Sequence, residues 1–233
     1  MSKNGKIYFE IDGKPCYGEE GQLVIDAAKA NGVFIPSLCH FEGVKPAGSC
    51  RLCTVKVNGR TMSACTTPVA EDLVVENEIP ELNNLRKSII EMLFVSGNHF
   101  CPSCEKSGNC ELQAMAYRYQ MMVTRYPYEF PINNVDALPD HLFLDRNRCI
   151  LCKLCIRTIT KDGKNVFAFR GRGGEHLQVV MDEELASRMT EEEAQGAMDI
   201  CPVGAIIKKE QGFIVPIGSR KFDKTPIGSN IEN

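Results

Sequence analysis

Apolar and polar residues alternate through Ile7, Phe9 and Ile11 up to Asp12-Gly13, a period of two that predicts a half-buried strand entering a hairpin. The period then lengthens. Over 22–30, Leu23, Ala27 and Ala30 recur at helical spacing, and Asn31-Gly32 supplies a stop. Thr54-Val55-Lys56-Val57 and Thr61-Met62-Ser63-Ala64 flank Asn58-Gly59, two residues that tolerate positive φ, so a second hairpin is expected. Leu73-Val74-Val75 offers another strand. Residues 1–78 thus read as a small α+β module, strands packed on one helix.

Past Ile79-Pro80 the pattern changes again. Leu82, Leu85, Ile89, Met92 and Leu93 mark an amphipathic helix with Pro80 in its first turn and Gly97 just past its end. A second helix is predicted over 111–122, with Met115, Tyr117, Tyr119, Met121 and Met122 as core packing. Tyr126-Pro127-Tyr128-Glu129-Phe130-Pro131 cannot sustain a helix and connects this module, 79–122, to a third, 123–233. Thr190 and Glu193 form a capping box that opens a short helix running toward Cys201-Pro202. The tail, 212–233, lacks periodicity and reads as a solvated segment or an extended arm on a partner.

With 233 residues, 43% of them hydrophobic, the chain can form one compact unit or two to three small domains. Its 27 basic and 30 acidic residues leave a net charge of -3, and it has no Trp, so neither summed field nor stacking platform favours nucleic acid. The longest apolar stretches, Ile89-Ile90 and 92–95, are broken by Glu91 and fall short of the roughly 20 residues that cross a bilayer, so no membrane insertion is expected. The start, Met-Ser-Lys-Asn-Gly, leads into no apolar signal core, which points to the cytoplasm and away from disulfides.

The informative feature is the set of 12 cysteines, 11 of which fall into three tight groups. The first is Cys39, Cys50, Cys53 and Cys65, with Gly43, Pro46 and Gly48 keeping the long gap a loop. Four thiolates on loops fit one [2Fe-2S] cluster, although the first gap departs from the plant-type spacing. A tetrahedral zinc is the competing occupant. His40 beside Cys39 reads as a surface or packing residue. The second group, Cys101, Cys104 and Cys110, leaves a cubane one ligand short; the imidazole of His99 can supply it or can be ordinary polar surface.

The third group, Cys149, Cys152 and Cys155 with the distant Cys201-Pro202, is the most specific. Two-cluster bacterial ferredoxins carry two runs of C-x2-C-x2-C-x3-C-P, and the last cysteine of each run ligates the other cluster. Here position 159 is Ile, and the cysteines required before Cys201 are replaced by Glu191, Ala194 and Ala197. Those four positions are the whole ligand set of one cluster, so one [4Fe-4S] survives in a ferredoxin-like frame. Cys16 remains as a half-buried structural thiol. Gly171-Arg172-Gly173-Gly174 lacks the strand-turn-helix setting of a nucleotide fingerprint, and no catalytic residue is expected. Arg51 and Lys153, inside the motifs, read equally as tuning charges or solvated surface.

The segments at 50–53 (Cys-Arg-Leu-Cys), 97–113 and 145–152 resemble the small diaphorase subunits, of the HoxU type, in NAD-reducing [NiFe] hydrogenases, over nearly the whole chain. They are also similar to the N-terminal part of the large iron-sulfur subunit of respiratory complex I and to accessory domains of [FeFe] hydrogenases. The resemblance implies an α+β chain of three parts: an N-terminal β-grasp [2Fe-2S] ferredoxin domain, a small helical [4Fe-4S] domain ligated by His99 and three cysteines, and a C-terminal bacterial-ferredoxin-like [4Fe-4S] domain. Complex I relatives usually place the ligating histidine where Gly97 stands here, whereas the resemblance to the hydrogenase subunits points to His99. The implied work is electron relay through one [2Fe-2S] and two [4Fe-4S] clusters, between a flavin- and NAD-binding diaphorase subunit and the small and large [NiFe] hydrogenase subunits. The end at Asn233 favours a free-standing subunit. An NAD-dependent formate dehydrogenase or complex I-like enzyme could use an equivalent subunit, and a zinc-stabilised scaffold is the alternative of another class.

Overall fold

The structure is a computed structural model that describes residues 5–172, 177–210 and 212–232. Met1 to Asn4, Gly173-Gly174 of the glycine-rich stretch and Asn233 of the tail lie outside the described residues. The chain opens with β1 (Lys6–Ile11) and β2 (Lys14–Glu19), paired antiparallel around Asp12 and Gly13, both at positive φ as the tight turn requires. α1 (Val24–Ala30) ends at Asn31, and Gly32 takes the left-handed conformation. β3 (Thr54–Val57) and β4 (Arg60–Ser63) form the Asn58-Gly59 hairpin. β5 (Val74–Glu76) runs parallel to β1 and antiparallel to β3, giving a mixed five-stranded sheet in the order β2-β1-β5-β3-β4. Phe9, Ile11, Val24, Ala27, Val55 and Val75 fill the space between this sheet and α1.

α2 (Pro80–Val95) begins at Pro80 as expected, and of the expected apolar positions Leu82 is buried and Ile89 and Leu93 pack on the core, but the face is rotated. Leu85 and Met92 are exposed, whereas Leu82, Arg86, Ile90 and Phe94, spaced four apart, turn inward. An apolar tally misses this face because its centre is an arginine with no exposed surface. α3 (Glu111–Arg118) is shorter than its apolar content suggests. Met115 is core, but Tyr117 and Met122 face solvent at 72% and 91% exposure, and Tyr119 and Met121 lie just past the helix, partly buried.

The remainder is built from small elements. β6 (Val135–Asp136), β7 (Leu142–Asp145) and a later strand form a three-stranded sheet, and α4 (Leu154–Thr158) precedes two hairpins. These are β8 (Thr160–Lys161) with β9 (Lys164–Asn165), and β10 (Phe167–Arg170) with β11 (Gln178–Met181). α5 (Glu183–Ser187) and α6 (Glu191–Ile200) follow, the latter opened by the Thr190–Glu193 capping box. β12 (Ile206–Lys208) returns antiparallel to β7. One core joins α2, α3 and this third part, and Phe34, Leu38 and Leu52 of the first part reach into it.

The tail departs from expectation. It folds back on its own chain: Arg118 holds Glu232 and the Ile227 carbonyl, Arg220 pairs with Asp223, and Ile227 is buried. It ends in α7 (Ser229–Glu232). The apolar residues Phe222, Ile227 and Ile231 are spaced too irregularly for a periodicity test, yet together they cover part of the core. Among the described residues, no helix is long and apolar enough to cross a membrane.

Candidate iron-sulfur sites

The first cysteine group converges at one edge of the five-stranded sheet. Cys39, Cys53 and Cys65 have no exposed surface, and Cys50 is half-buried. Arg51, between Cys50 and Cys53, sits at φ +61°, a conformation that costs a branched or long side chain energy unless the surroundings impose it. The backbone supplies donors to sulfur: Leu38 N–H reaches Cys50 Sγ at 3.4 Å, and Cys50 N–H reaches Cys39 Sγ at 3.4 Å. The thiols also bond one another. Hydrogen bonds from Cys50 and Cys65 hold the Cys39 thiol far below its ordinary range, and the same bonds push Cys50 and Cys65 up. A bond from Cys65 likewise lowers Cys53. The four sulfurs thus form one connected group. His40 pairs with Asp26 at 2.7 Å, with only 10% of its side chain exposed, so it is a packed residue and not a surface one.

The second group occupies the loop between α2 and α3. Cys110 caps α3, its sulfur accepting Gln113 N–H at 3.5 Å and its thiol donating to the Pro202 carbonyl at 3.6 Å. Burial pushes this thiol up to about 12, and the neighbouring Cys104 and Cys101 add to the rise. Cys101 and Cys104 are raised by burial as well. His99 is brought beside them through its backbone, whose carbonyl receives the Cys101 N–H at 3.0 Å and thiol at 3.6 Å. Its ring stands edge-on to Phe94, with centroids 5.4 Å apart, and a Cβ at Gly97 would meet Nε2 at 2.7 Å, so glycine there makes room for the imidazole. Burial and then the Arg148 charge lower the His99 pKa to about 4, which keeps the imidazole neutral and its lone pair free near neutral pH.

The third group forms around α4 and the end of α6. Leu151 and Lys153 take φ of +54° and +67°, turning the C-x2-C-x2-C run into a tight coil before α4, and Cys201 ends α6. Cys149, Cys152, Cys155 and Cys201 all line one apolar cavity, closed by residues such as Leu144 and Val203. Burial pushes Cys149 up to about 11 and raises Cys152 and Cys155 further, with Cys201 adding to each. A bare thiolate is disfavoured at such a place, so a bound cationic centre is what would draw the protons off.

The third group lies against both of the others. Cys39 packs against Cys152 and Leu154, and Arg157 of α4 donates to the Cys39 carbonyl at 2.7 Å. On the other side, Glu111 N–H bonds the Pro202 carbonyl at 2.9 Å, and Gly204 lies against Cys104. Cys16 is more deeply buried than expected, at 2% exposure, with its thiol raised by burial. All 12 cysteines are free. Among the described residues, no three His, Cys, Asp or Glu side chains are set to hold a single metal ion.

Four residues that frame these sites carry no signal in the sequence pattern. Arg86 donates to the Leu52 and Thr54 carbonyls on either side of Cys53. Arg148 donates to Cys104 Sγ at 3.7 Å, and Lys106, buried, to the Met198 carbonyl at 2.5 Å. Gly204 is the fourth. Of the two charges left open, Arg51 pulls the Cys53 thiol down, and Lys153 stands 6.0 Å over the Phe169 ring.

Three family models match successive stretches of the chain. Residues 4–79 match the model of a 2Fe-2S iron-sulfur cluster binding domain, 86–125 that of the NADH-ubiquinone oxidoreductase-G iron-sulfur binding region, and 142–207 that of a 4Fe-4S single cluster domain. The chain is 46% identical over 219 residues to the gamma subunit of the NAD-reducing hydrogenase HoxS of Cupriavidus necator, covering 93% of each. It is 30% identical over 221 residues to the mitochondrial NADH-ubiquinone oxidoreductase 78 kDa subunit of Neurospora crassa, of which it spans only 28%. Among solved structures, a chain of an NAD+-reducing [NiFe]-hydrogenase in the H2-reduced state superposes with a TM-score of 0.89 at 39% identity, with 96% of both chains covered.

Proposed function

The chain belongs to the iron-sulfur subunit family that includes the gamma subunit of NAD-reducing hydrogenase, and from that premise we propose that it relays single electrons through three clusters. One [2Fe-2S] cluster would be held by Cys39, Cys50, Cys53 and Cys65, one [4Fe-4S] by His99, Cys101, Cys104 and Cys110, and another by Cys149, Cys152, Cys155 and Cys201. The corresponding units are 1–78, 79–122 and 123–233. The sulfurs suit the groups: all are unpaired and largely buried, those of the first set are linked by hydrogen bonds, those of the third line one cavity, and in the second the Cys101 thiol bonds the His99 carbonyl. That the matched models all describe iron-sulfur regions supports iron over zinc.

When bound, such clusters supply reversible one-electron storage at potentials set by their surroundings. The protein's own residues do the rest. Backbone N–H groups of Leu38, Cys50 and Gln113 point at sulfur, which favours the charged thiolate and fixes its position. Leu144, Val203 and Ile206 exclude water from the third group. The loop 43–49 beside the first group and Phe100, 70% exposed, beside the second leave these two groups near the surface. The single observation that carries the reading is adjacency: the third group touches the first through Cys152 and Cys39 and the second through Pro202 and Gly204, as a relay among the three requires.

The partners in this reading are a flavin- and NAD-binding diaphorase subunit at one end and the small and large [NiFe] hydrogenase subunits at the other. The HoxU-type role and a cytoplasmic setting follow, the latter consistent with free thiols throughout. The test is anaerobic mixing of the loaded chain with the flavin subunit and NADH, followed by optical and EPR spectra. Reduction of the chain's clusters is expected; clusters that stay oxidised while dithionite reduces them would overturn the relay assignment.

A further inference from the structure

We propose that Arg148 is a positioning residue that sets the reduction potential of the second cluster through its bond to Cys104. The inference rests on the reading that His99, Cys101, Cys104 and Cys110 hold a [4Fe-4S] cluster. Arg148 immediately precedes Cys149 of the third group, yet its guanidinium crosses to the second. Nη1 lies 3.7 Å from Cys104 Sγ, 3.4 Å from the Gly204 carbonyl and 2.6 Å from Glu105 Oε2, while Nε is 2.9 Å from Asp145 Oδ2. Two carboxylates and a carbonyl therefore fix the fork, and 18% of the side chain is exposed.

Arg146, two residues earlier, provides the contrast. It turns the other way, to the Val179 and Asn134 carbonyls and Asp136, and its charge acts on Cys149. The alternation assigns Arg146 to the third group and Arg148 to the second. Arg148 also faces His99, whose protonation its charge opposes. One side chain thus touches one proposed ligand directly and the field of another.

The physical consequence concerns charge. A cluster held by these residues would, on reduction, take up one electron given up by its neighbour. The cluster becomes more negative by one charge. An N–H donor on a ligand sulfur, carried by a cation in a partly buried site, favours that more negative state, so Arg148 raises the potential. With Arg148 removed, Glu105 and Asp145 remain as unmatched negative charges and push the same way. Electrons would then be less readily accepted at that end of the chain.

The experiment is a redox titration of the full loaded chain followed by EPR, in wild type, Arg148→Gln, Arg148→Lys and Arg146→Gln, with Cys104→Ser used to identify the second cluster's signal. The expected result is a lower midpoint for that signal in Arg148→Gln, a smaller drop in Arg148→Lys, and no change in Arg146→Gln. A midpoint unchanged in Arg148→Gln at full iron content would overturn the inference. Equal loss of the cluster from both Arg148 variants would also overturn it, by reducing Arg148 to a tie between loops. Absence of a second [4Fe-4S] signal in wild type would instead strike the reading beneath it.

Discussion

Gly204 lies directly against Cys104: a Cβ at position 204 would stand 2.5 Å from the Cys104 sulfur and 3.3 Å from Lys106 Cβ. The loop that follows Cys201 of the third group therefore forms part of the wall of the second. Gly204→Ala must push Cys104 aside, at a cost of about 1–3 kcal/mol for overpacking. The expected outcome is loss or distortion of one [4Fe-4S] signal with the [2Fe-2S] signal intact, read by EPR and iron analysis. Full occupancy with unchanged spectra would contradict this account of the loop.

Arg86 ties α2 to the first group. It donates to the Leu52 carbonyl at 3.2 Å, the Thr54 carbonyl at 3.0 Å and the Asn77 carbonyl at 2.9 Å, and has no exposed surface. Arg86→Met leaves these buried carbonyls without donors, so a loss of about 3 kcal/mol or more is expected in urea unfolding. The [2Fe-2S] spectrum should be lost first, because two of the freed carbonyls flank Cys53. A change within about 0.5 kcal/mol would show that the carbonyls find other donors.

Thr190 receives the Glu193 N–H at 3.2 Å while the Glu193 side chain receives the Thr190 N–H at 2.7 Å. This box starts the helix that ends on Cys201. Thr190→Ala should cost about 1 kcal/mol, measured by thermal or chemical unfolding, with cluster content unchanged.

His99 carries a pH dependence. Its folded pKa is about 4 against an ordinary 6.5, lowered by burial and then by Arg148. Below the ordinary value the unfolded chain binds the proton and the folded chain does not, so stability falls as pH drops through that window and is fully present above it. The loss approaches about 3 kcal/mol at the acid end. Cluster-free His99→Phe should lack this component. Equal slopes of stability between about pH 6.5 and pH 4 in both proteins would show that His99 does not titrate as described.

Much of this could be read in the chain. The hairpins at Asp12-Gly13 and Asn58-Gly59, the stop at Asn31-Gly32 and the Thr190–Glu193 box each depend on local chemistry, and the structure has them where the residues indicate. The close spacing within each run of cysteines is local too, whereas Cys201 reaches the cavity of Cys149, Cys152 and Cys155 from the far end of α6. What was not legible depends on long-range partners. Nothing near Arg86 in sequence announces a fully buried cation, because the two carbonyls beside Cys53 that it serves are 32 and 34 residues away. Arg148 and Gly204 acquire their meaning only from Cys104, and the tail only from the core that Ile227 covers. Leu151 and Arg51 at positive φ are likewise invisible, since neither residue type favours that conformation.

The most direct test of the central claim is iron and sulfide analysis of the anaerobically purified chain, joined to EPR spin quantitation after full reduction. The account predicts about ten iron atoms and ten sulfides per chain, with one [2Fe-2S] and two [4Fe-4S] spectra. Zinc without iron, or iron sufficient for fewer than three clusters in a fully loaded chain, would contradict it.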